Sequence, residues 1–207
     1  MTETEIHNRL LRHPEARREG ELVLVRAIRP SDAANLQAFH ARCSAETQYR
    51  RFLMHKPHLS DKETEYFCNV DMRDRGAVVA TDPRSRDRIH GIGQWDALGG
   101  GRAEIAFVVE DDLQGVGVGR RLLKVVLDHT RALGFRHLTG SILAGNGPMR
   151  RLFETCGYAF GLGEIRCGDQ SFSLIAERGE TDHPAWGEVR AGHLAFATAG
   201  APTIGHS

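Results

Sequence analysis

Between Ala103 and Leu123 the hydrophobic period changes without interruption of the chain. Ala103, Ile105, Phe107 and Val109 recur at every second residue, whereas Val118, Leu122 and Val126 recur at every fourth. A strand therefore runs into a helix. At the junction stand Gln114-Gly115-Val116-Gly117-Val118-Gly119, with glycines at alternate positions where the helix must begin. The first turn of a helix has N–H groups without intrahelical acceptors, and its macrodipole places partial positive charge at the same end. Glycine lets an anion approach that backbone because no Cβ intervenes, and Arg120 and Arg121 add formal charge. The junction is a place to hold phosphate.

Such a turn can also serve only to reverse a chain or to seat a helix on a sheet, but the strand before it and the amphipathic helix after it favour the anion-binding reading. Two phosphate loops are excluded by spacing. A triphosphate loop needs Gly-x-x-x-x-Gly-Lys-Ser/Thr, and no such lysine and hydroxyl follow Gly119. A dinucleotide fold needs Gly-x-Gly-x-x-Gly on its first βα unit, whereas Gly115, Gly117 and Gly119 are spaced Gly-x-Gly-x-Gly and come mid-chain. Gln114, Gly117 and Gly119 do match Gln/Arg-x-x-Gly-x-Gly/Ala. This resembles the acetyl-CoA pyrophosphate loop of the GNAT superfamily of N-acetyltransferases.

The remaining chain can be ordered around that junction. Leu22–Ile28 is a compact apolar strand, ended by Pro30-Ser31-Asp32, which caps a helix with Ala33, Leu36, Phe39 or His40 and Cys43 on one stripe. The segment 44–59 mixes aromatic, apolar and cationic residues; it is open to being a helix that shapes a substrate cleft. Ser60 and Glu63 form a capping box for a helix carrying Tyr66 and Phe67. Strands follow at 77–81 and 89–95 across a polar turn, and Gly99-Gly100-Gly101 turns the chain into the strand that ends at Val109. The helix after Gly119 stops at Gly134, a C′ glycine. A strand at 137–143, a helix at 146–155 broken by Gly157, and short strands at 158–160 and 171–176 complete the pattern. Residues 1–20 read as a charged arm and 178–207 as an extended tail, leaving one domain over 21–177.

Composition limits the partners. Lys+Arg and Asp+Glu both total 27, so no overall charge draws the chain to nucleic acid or to an anionic membrane. No apolar run approaches the roughly 20 residues that span a bilayer, and no signal-like core opens the chain, so a cytoplasmic location is expected. Cys43, Cys68, Cys156 and Cys167 are far apart, and the 11 histidines show no His-Glu-x-x-His pattern, so no metal is expected.

The element order β-α-α-β-β-β-α-β-α-β-β is similar to that of the GNAT fold, an α/β (α+β) architecture with a mixed, twisted sheet of six to seven strands flanked by helices. The stretch Ala144-Gly145-Asn146 to Phe153-Glu154-Thr155-Cys156-Gly157-Tyr158 also resembles that family's Asn-containing helix. The resemblance implies acetyl-CoA as co-substrate, no metal, and an amine acceptor. It implies that Val108 and Val109, beside Phe107, offer backbone hydrogen bonds to the pantetheine arm. Gln114, Gly115, Val116, Gly117, Val118, Gly119 and Arg120 would hold the pyrophosphate, and Asn146 and Phe153 would line the thiol end.

An attacking amine must lose a proton, and a free lysine amine titrates near 10.4. Glu104, an ionisable residue within an apolar strand, is the expected general base. It shares a strand face with Ala106, Val108 and Glu110, and the stretch from 104 to 109 spans roughly 16 Å, comparable with a pantetheine arm. Glu110, nearer the loop, is expected to be structural. Many superfamily members place a tyrosine where this chain has Phe153, which cannot protonate a leaving thiolate; Tyr158 and Cys156 are expected to pack. The stretches Arg26–Asp32 and Ser44–Phe52 look like the catalytic domain of bacterial Pat-type protein lysine acetyltransferases, which implies a protein lysine as acceptor, an acyl-CoA synthetase among the candidates. Tyr49, Arg51 and Phe52 then border the acceptor cleft, or Phe52 fills core. Acetylation of a small amine and a non-catalytic acyl-CoA sensor are the alternatives.

Overall fold

A computed structural model describes residues 23–175; the arm expected at 1–20 and the tail expected at 178–207 lie outside the described residues. Strand β1 (Leu24–Ala27) leads through a 3-10 turn at Pro30–Asp32 into helix α1 (Ala33–Arg42), followed by α2 (Ala45–Phe52) and α3 (Asp61–Cys68). Strands β2 (Arg75–Thr81), β3 (Ile89–Gly99) and β4 (Arg102–Val109) come next, then α4 (Val118–Ala132), β5 (His137–Leu143), α5 (Gly147–Glu154), β6 (Ala159–Arg166) and β7 (Asp169–Ile175). The seven strands form one sheet in the order β1-β2-β3-β4-β5-β7-β6, the mixed helix-flanked sheet that the element order implied. Every pair is antiparallel except β4 and β5.

The alternation of β4 sorts the core into two layers. Ala103, Ile105 and Phe107 pack with Val118, Leu122, Leu123 and Val126 of α4 and with Phe153, Phe172 and Leu174. On the other side Val79 and Ile92 pack with Leu36, Phe39 and Phe67 of the first helices, and Val108 abuts that cluster. The sheet is covered on both faces around β4, which is why its apolar residues do not simply alternate with polar ones.

One segment that the sequence left open and two local departures from its pattern have physical causes. The ambiguous segment 44–59 does contain a helix: Ser44 caps it by accepting from Thr47 N–H at 3.2 Å, and Leu53 ends it in the left-handed region at φ 55°. Asp32 does not cap α1 with its side chain. Its carboxylate instead takes two bonds from Arg26, at 2.7 and 2.8 Å, and the Arg29 N–H at 2.8 Å, a buried pair that fixes the turn leaving β1. The strand expected at 158–160 runs on to Arg166. It is the sheet edge, largely exposed at its far end, so Gly163, Glu164 and Arg166 occupy it without an apolar alternation to reveal it. Elsewhere the signals hold. Ser60 and Glu63 form the reciprocal capping box, and α4 ends with Phe135 N–H to Thr130 C=O and Gly134 N–H to Arg131 C=O, a Schellman motif.

Candidate active site

The parallel pairing of β4 and β5 stops after Glu104 and Thr139. Beyond that point β4 continues to pair only with β3, out to Val109 opposite Gly91. An antiparallel ladder alternates, so that a residue whose N–H and C=O face one neighbour is flanked by residues facing the other way. Glu110 N–H donates to His90 C=O at 2.9 Å, which puts Val108 and Ala106 on the β3 side. Ile105, Phe107 and Val109 therefore turn their backbone groups toward β5, and the Ile105 carbonyl does lie against Gly140. Past the fork, the backbone of Phe107 and Val109 faces a gap between strands. The sequence reading placed Val108 and Val109 in that role; the ladder parity gives it to Phe107 and Val109, while Val108 contributes only its side chain to the wall.

That gap is a cleft of about 540 Å³. Its walls are β4 from Ile105 to Val109, the loop at Gln114 to Arg120, Ser141 and Ile142 of β5, Asn146 and one face of α5 including Leu152 and Phe153, and Thr47, Arg50 and Arg51 of α2. Among the described residues four arginines, Arg50, Arg51, Arg120 and Arg151, and no carboxylate line it, a balance that suits a polyanion.

The loop is held from below. Asp111 accepts from Ser44 N–H at 2.8 Å, Ser44 Oγ at 2.7 Å and Thr47 Oγ1 at 2.8 Å, joining the loop to the start of α2. Burial raises the Asp111 carboxyl, but these donors outweigh it and hold the group below the usual carboxylate range. Gln114 donates to Thr47 Oγ1 and to Val109 C=O, both at 3.0 Å. Its side chain thus shapes the loop, leaving backbone amides to face the cleft. Gly115 at φ 74° and Gly117 at φ 97°, the residue preceding α4, occupy the left-handed region that side chains avoid. The first intrahelical bond is Arg121 N–H to Gly117 C=O, so the N–H groups before it are the unused ones of the helix start. Val118 points into the core and Val116 packs against it, so these two of the expected site residues have only backbone to offer. Arg120 reaches Thr155 Oγ1 of the neighbouring helix at 3.1 Å.

Asn146 caps α5, accepting from Met149 N–H at 3.2 Å. Phe153 is 1% exposed, stacked on Phe172 at 4.2 Å and near Phe160, and still contributes an edge to the cleft. Tyr158 donates to Leu127 C=O at 3.4 Å, and burial raises the Cys156 thiol, so both behave as packing residues. Glu104 is 5% exposed, is not among the residues that line the cleft, and stands opposite Asp96 on β3. Glu110 is engaged by His90 and by Arg42 at 3.1 Å, the structural role expected of it. Tyr49 is 45% exposed, Phe52 meets the His40 ring edge-on at 5.4 Å in the α1 to α3 layer, and Arg51 alone of these three lines the cleft. Thr47, Asp111 and Arg151 were not singled out by sequence, since only the fold brings residue 47 to residues 111 and 114 across separations of 64 and 67.

The family model described as an acetyltransferase (GNAT) domain matches residues 22–159. The chain belongs to the GNAT acetyltransferase family. An acetyltransferase of Pseudomonas aeruginosa is 30% identical over 142 residues, covering 68% of this chain and 76% of that one. The acetyltransferase Pat of Mycolicibacterium smegmatis is 30% identical over 146 residues, 68% of this chain but 42% of Pat, so the chain spans well under half of that relative. The crystal structure of the GNAT domain of S. lividans PAT superposes with a TM-score of 0.70 at 28% identity, covering 79% of this chain and 96% of that domain. As a GNAT acetyltransferase the chain uses acetyl-CoA as donor, and the cleft fits that substrate: a narrow gap with open strand backbone leads from a cationic, amide-lined mouth. Among the described residues no helix is long and apolar enough to cross a membrane.

Proposed function

We propose that this GNAT acetyltransferase moves the acetyl group of acetyl-CoA to a lysine side chain of a protein, with Glu104 as general base. The observation that supports the reaction is the cleft itself, in which the Phe107 backbone and the Val109 N–H, the Val109 carbonyl being held by Gln114, run from the Gln114–Arg120 amides toward the fork at Glu104. The likeness to the Pat proteins supports a protein lysine as acceptor.

The loop amides and Arg120 hold the diphosphate, and Phe107 and Val109 bond the amide-bearing arm as an added strand edge would. Asn146 and Phe153 bound the thioester end. The uncharged lysine amine attacks the thioester carbonyl carbon and its proton passes to Glu104. Because that carboxylate does not line the cleft, the transfer runs through water. The C–S bond then breaks and the sulfur leaves as thiolate. Phe153 carries no proton to give it, so solvent protonates the thiolate after release.

Two measurements test the reading. Calorimetry with acetyl-CoA should show binding to the wild type and to Glu104→Gln alike, with turnover lost only in the variant; turnover retained in Glu104→Gln removes the base. Labelled acetyl-CoA added to a cell lysate should mark protein lysines, and label confined to small metabolites excludes the protein acceptor.

A further inference from the structure

The face of the sheet that carries Glu104 bears a transverse row of charge. Arg75 on β2 stands opposite Asp96 on β3, and Asp96 stands opposite Glu104 on β4. Residues opposed across strands share a face and lie within reach of one another. Arg75 pairs with Asp96 at 3.3 Å and stacks its guanidinium on the Tyr66 ring of α3 at 3.6 Å from the centroid. Beyond Glu104 the row continues with the uncharged Thr139 of β5. Asp71, before β2, adds negative charge on the Asp96 side. Two carboxylates thus stand side by side under a helix layer, an arrangement in which each raises the cost of ionising the other.

From above comes Arg51. Its guanidinium donates to Gln94 Oε1, and Gln94 lies two residues from Asp96 on the same face, opposite Ala106, which lies two residues from Glu104. The cation is anchored at one corner of the rectangle Gln94–Asp96–Glu104–Ala106, and it is attracted to Glu104 and then to Asp96. Arg51 lines the cleft and Glu104 does not. Of the cations on this face, Arg75 is spent on Asp96 and Tyr66. Arg51 is therefore the cation placed to offset the charge that Glu104 must carry before it can accept a proton.

We propose that Arg51 is a positioning residue for acetyl transfer: held by Gln94, it keeps Glu104 ionised and, against Asp96, sets the pH at which that carboxylate accepts a proton. The inference rests on Glu104 being the base. Burial lowers the Arg51 guanidinium to about 10, with Glu104 and then Asp96 pulling it back up, so it stays charged at neutral pH. A neighbouring cation favours the carboxylate form and a neighbouring anion disfavours it. Removing Arg51 must then raise the pH at which Glu104 ionises, and removing the Asp96 charge must lower it.

The experiment is a carboxyl-carbon NMR titration of the full chain labelled on glutamate, the Glu104 signal being identified by its loss in Glu104→Gln. In Arg51→Met the titration midpoint should rise by about one pH unit or more, Arg51→Lys should restore most of the shift, and Asp96→Asn should move the midpoint the other way. The acid limb of the kcat profile should move in step. A folded Arg51→Met with an unmoved midpoint overturns the proposal, as does Arg51→Lys behaving no better than Arg51→Met. Should Arg51→Met fail to fold, a midpoint in Asp96→Asn equal to wild type overturns it equally. Failure of the base is distinguishable: Glu104→Gln then turns over normally whatever the titration shows, whereas lost turnover in Glu104→Gln beside an unmoved midpoint refutes Arg51 alone.

Discussion

Gly115 and Gly100 offer a matched pair for testing whether the loop before α4 works through its backbone. Gly115 has φ 74° and Gly100, in the β3–β4 turn, has φ 60°, and a Cβ added at either would meet no atom within 4 Å. Alanine at each site therefore brings no clash, only the cost of holding a side chain in the left-handed region, about 1–2 kcal/mol. The stiffer unfolded chain of alanine returns roughly 0.4–1 kcal/mol of that. Each variant should lose about 1 kcal/mol of stability, a fall in Tm of roughly 2–4 °C for a domain of this size. Ligand binding should separate them. Gly115 lines the cleft and Gly100 does not. Relaxing φ at 115 re-aims the amides that follow, and losing about 1.4 kcal/mol of their interaction weakens coenzyme A tenfold. Thermal melts and calorimetry of Gly115→Ala and Gly100→Ala with coenzyme A provide the readout. Equal affinity in the two variants would refute the claim that these backbone amides grip the diphosphate.

Further outcomes follow from burial and charge. Phe153→Ala should lose about 3–5 kcal/mol in chemical denaturation, because the ring is enclosed by Phe172 and Phe160; a loss under 1 kcal/mol would show that the ring serves the cleft and not the core. Phe153→Leu should keep most of the stability. The folded Asp111 titrates below its unfolded counterpart. Its contribution is therefore fully present above the ordinary carboxylate value of about 3.9 and is lost as pH falls through the folded value. Asp111→Asn should flatten the dependence of the denaturation midpoint on pH below about pH 4, and an unchanged slope there would contradict the bonds from Ser44 and Thr47.

Much of the fold was legible because its determinants are local. The switch of period at Val109 to Val118, the Ser60–Glu63 box and the Gly134 stop each depend on residues within a few positions of one another, and all three are found where the chain predicts them. The edge strand β6 was under-read for the complementary reason: a strand half in solvent need not alternate. The helix α2 was ambiguous because Arg50 and Arg51 interrupt its apolar stripe, and they do so because α2 faces a cleft as well as the core.

Local sequence thus determined most of the elements, where the glycine loop sits and that a lone carboxylate interrupts β4. The tertiary structure alone decided that β4 and β5 part after Glu104, so that ladder parity opens Phe107 and Val109 in place of Val108. It also decided that Asp111 and Gln114 are spent on fixing the loop, and that Arg51 both lines the cleft and attracts Glu104. These are relations between strands and helices far apart in the chain. Spacing along one segment encodes which side a residue faces, but only packing decides what stands on that side.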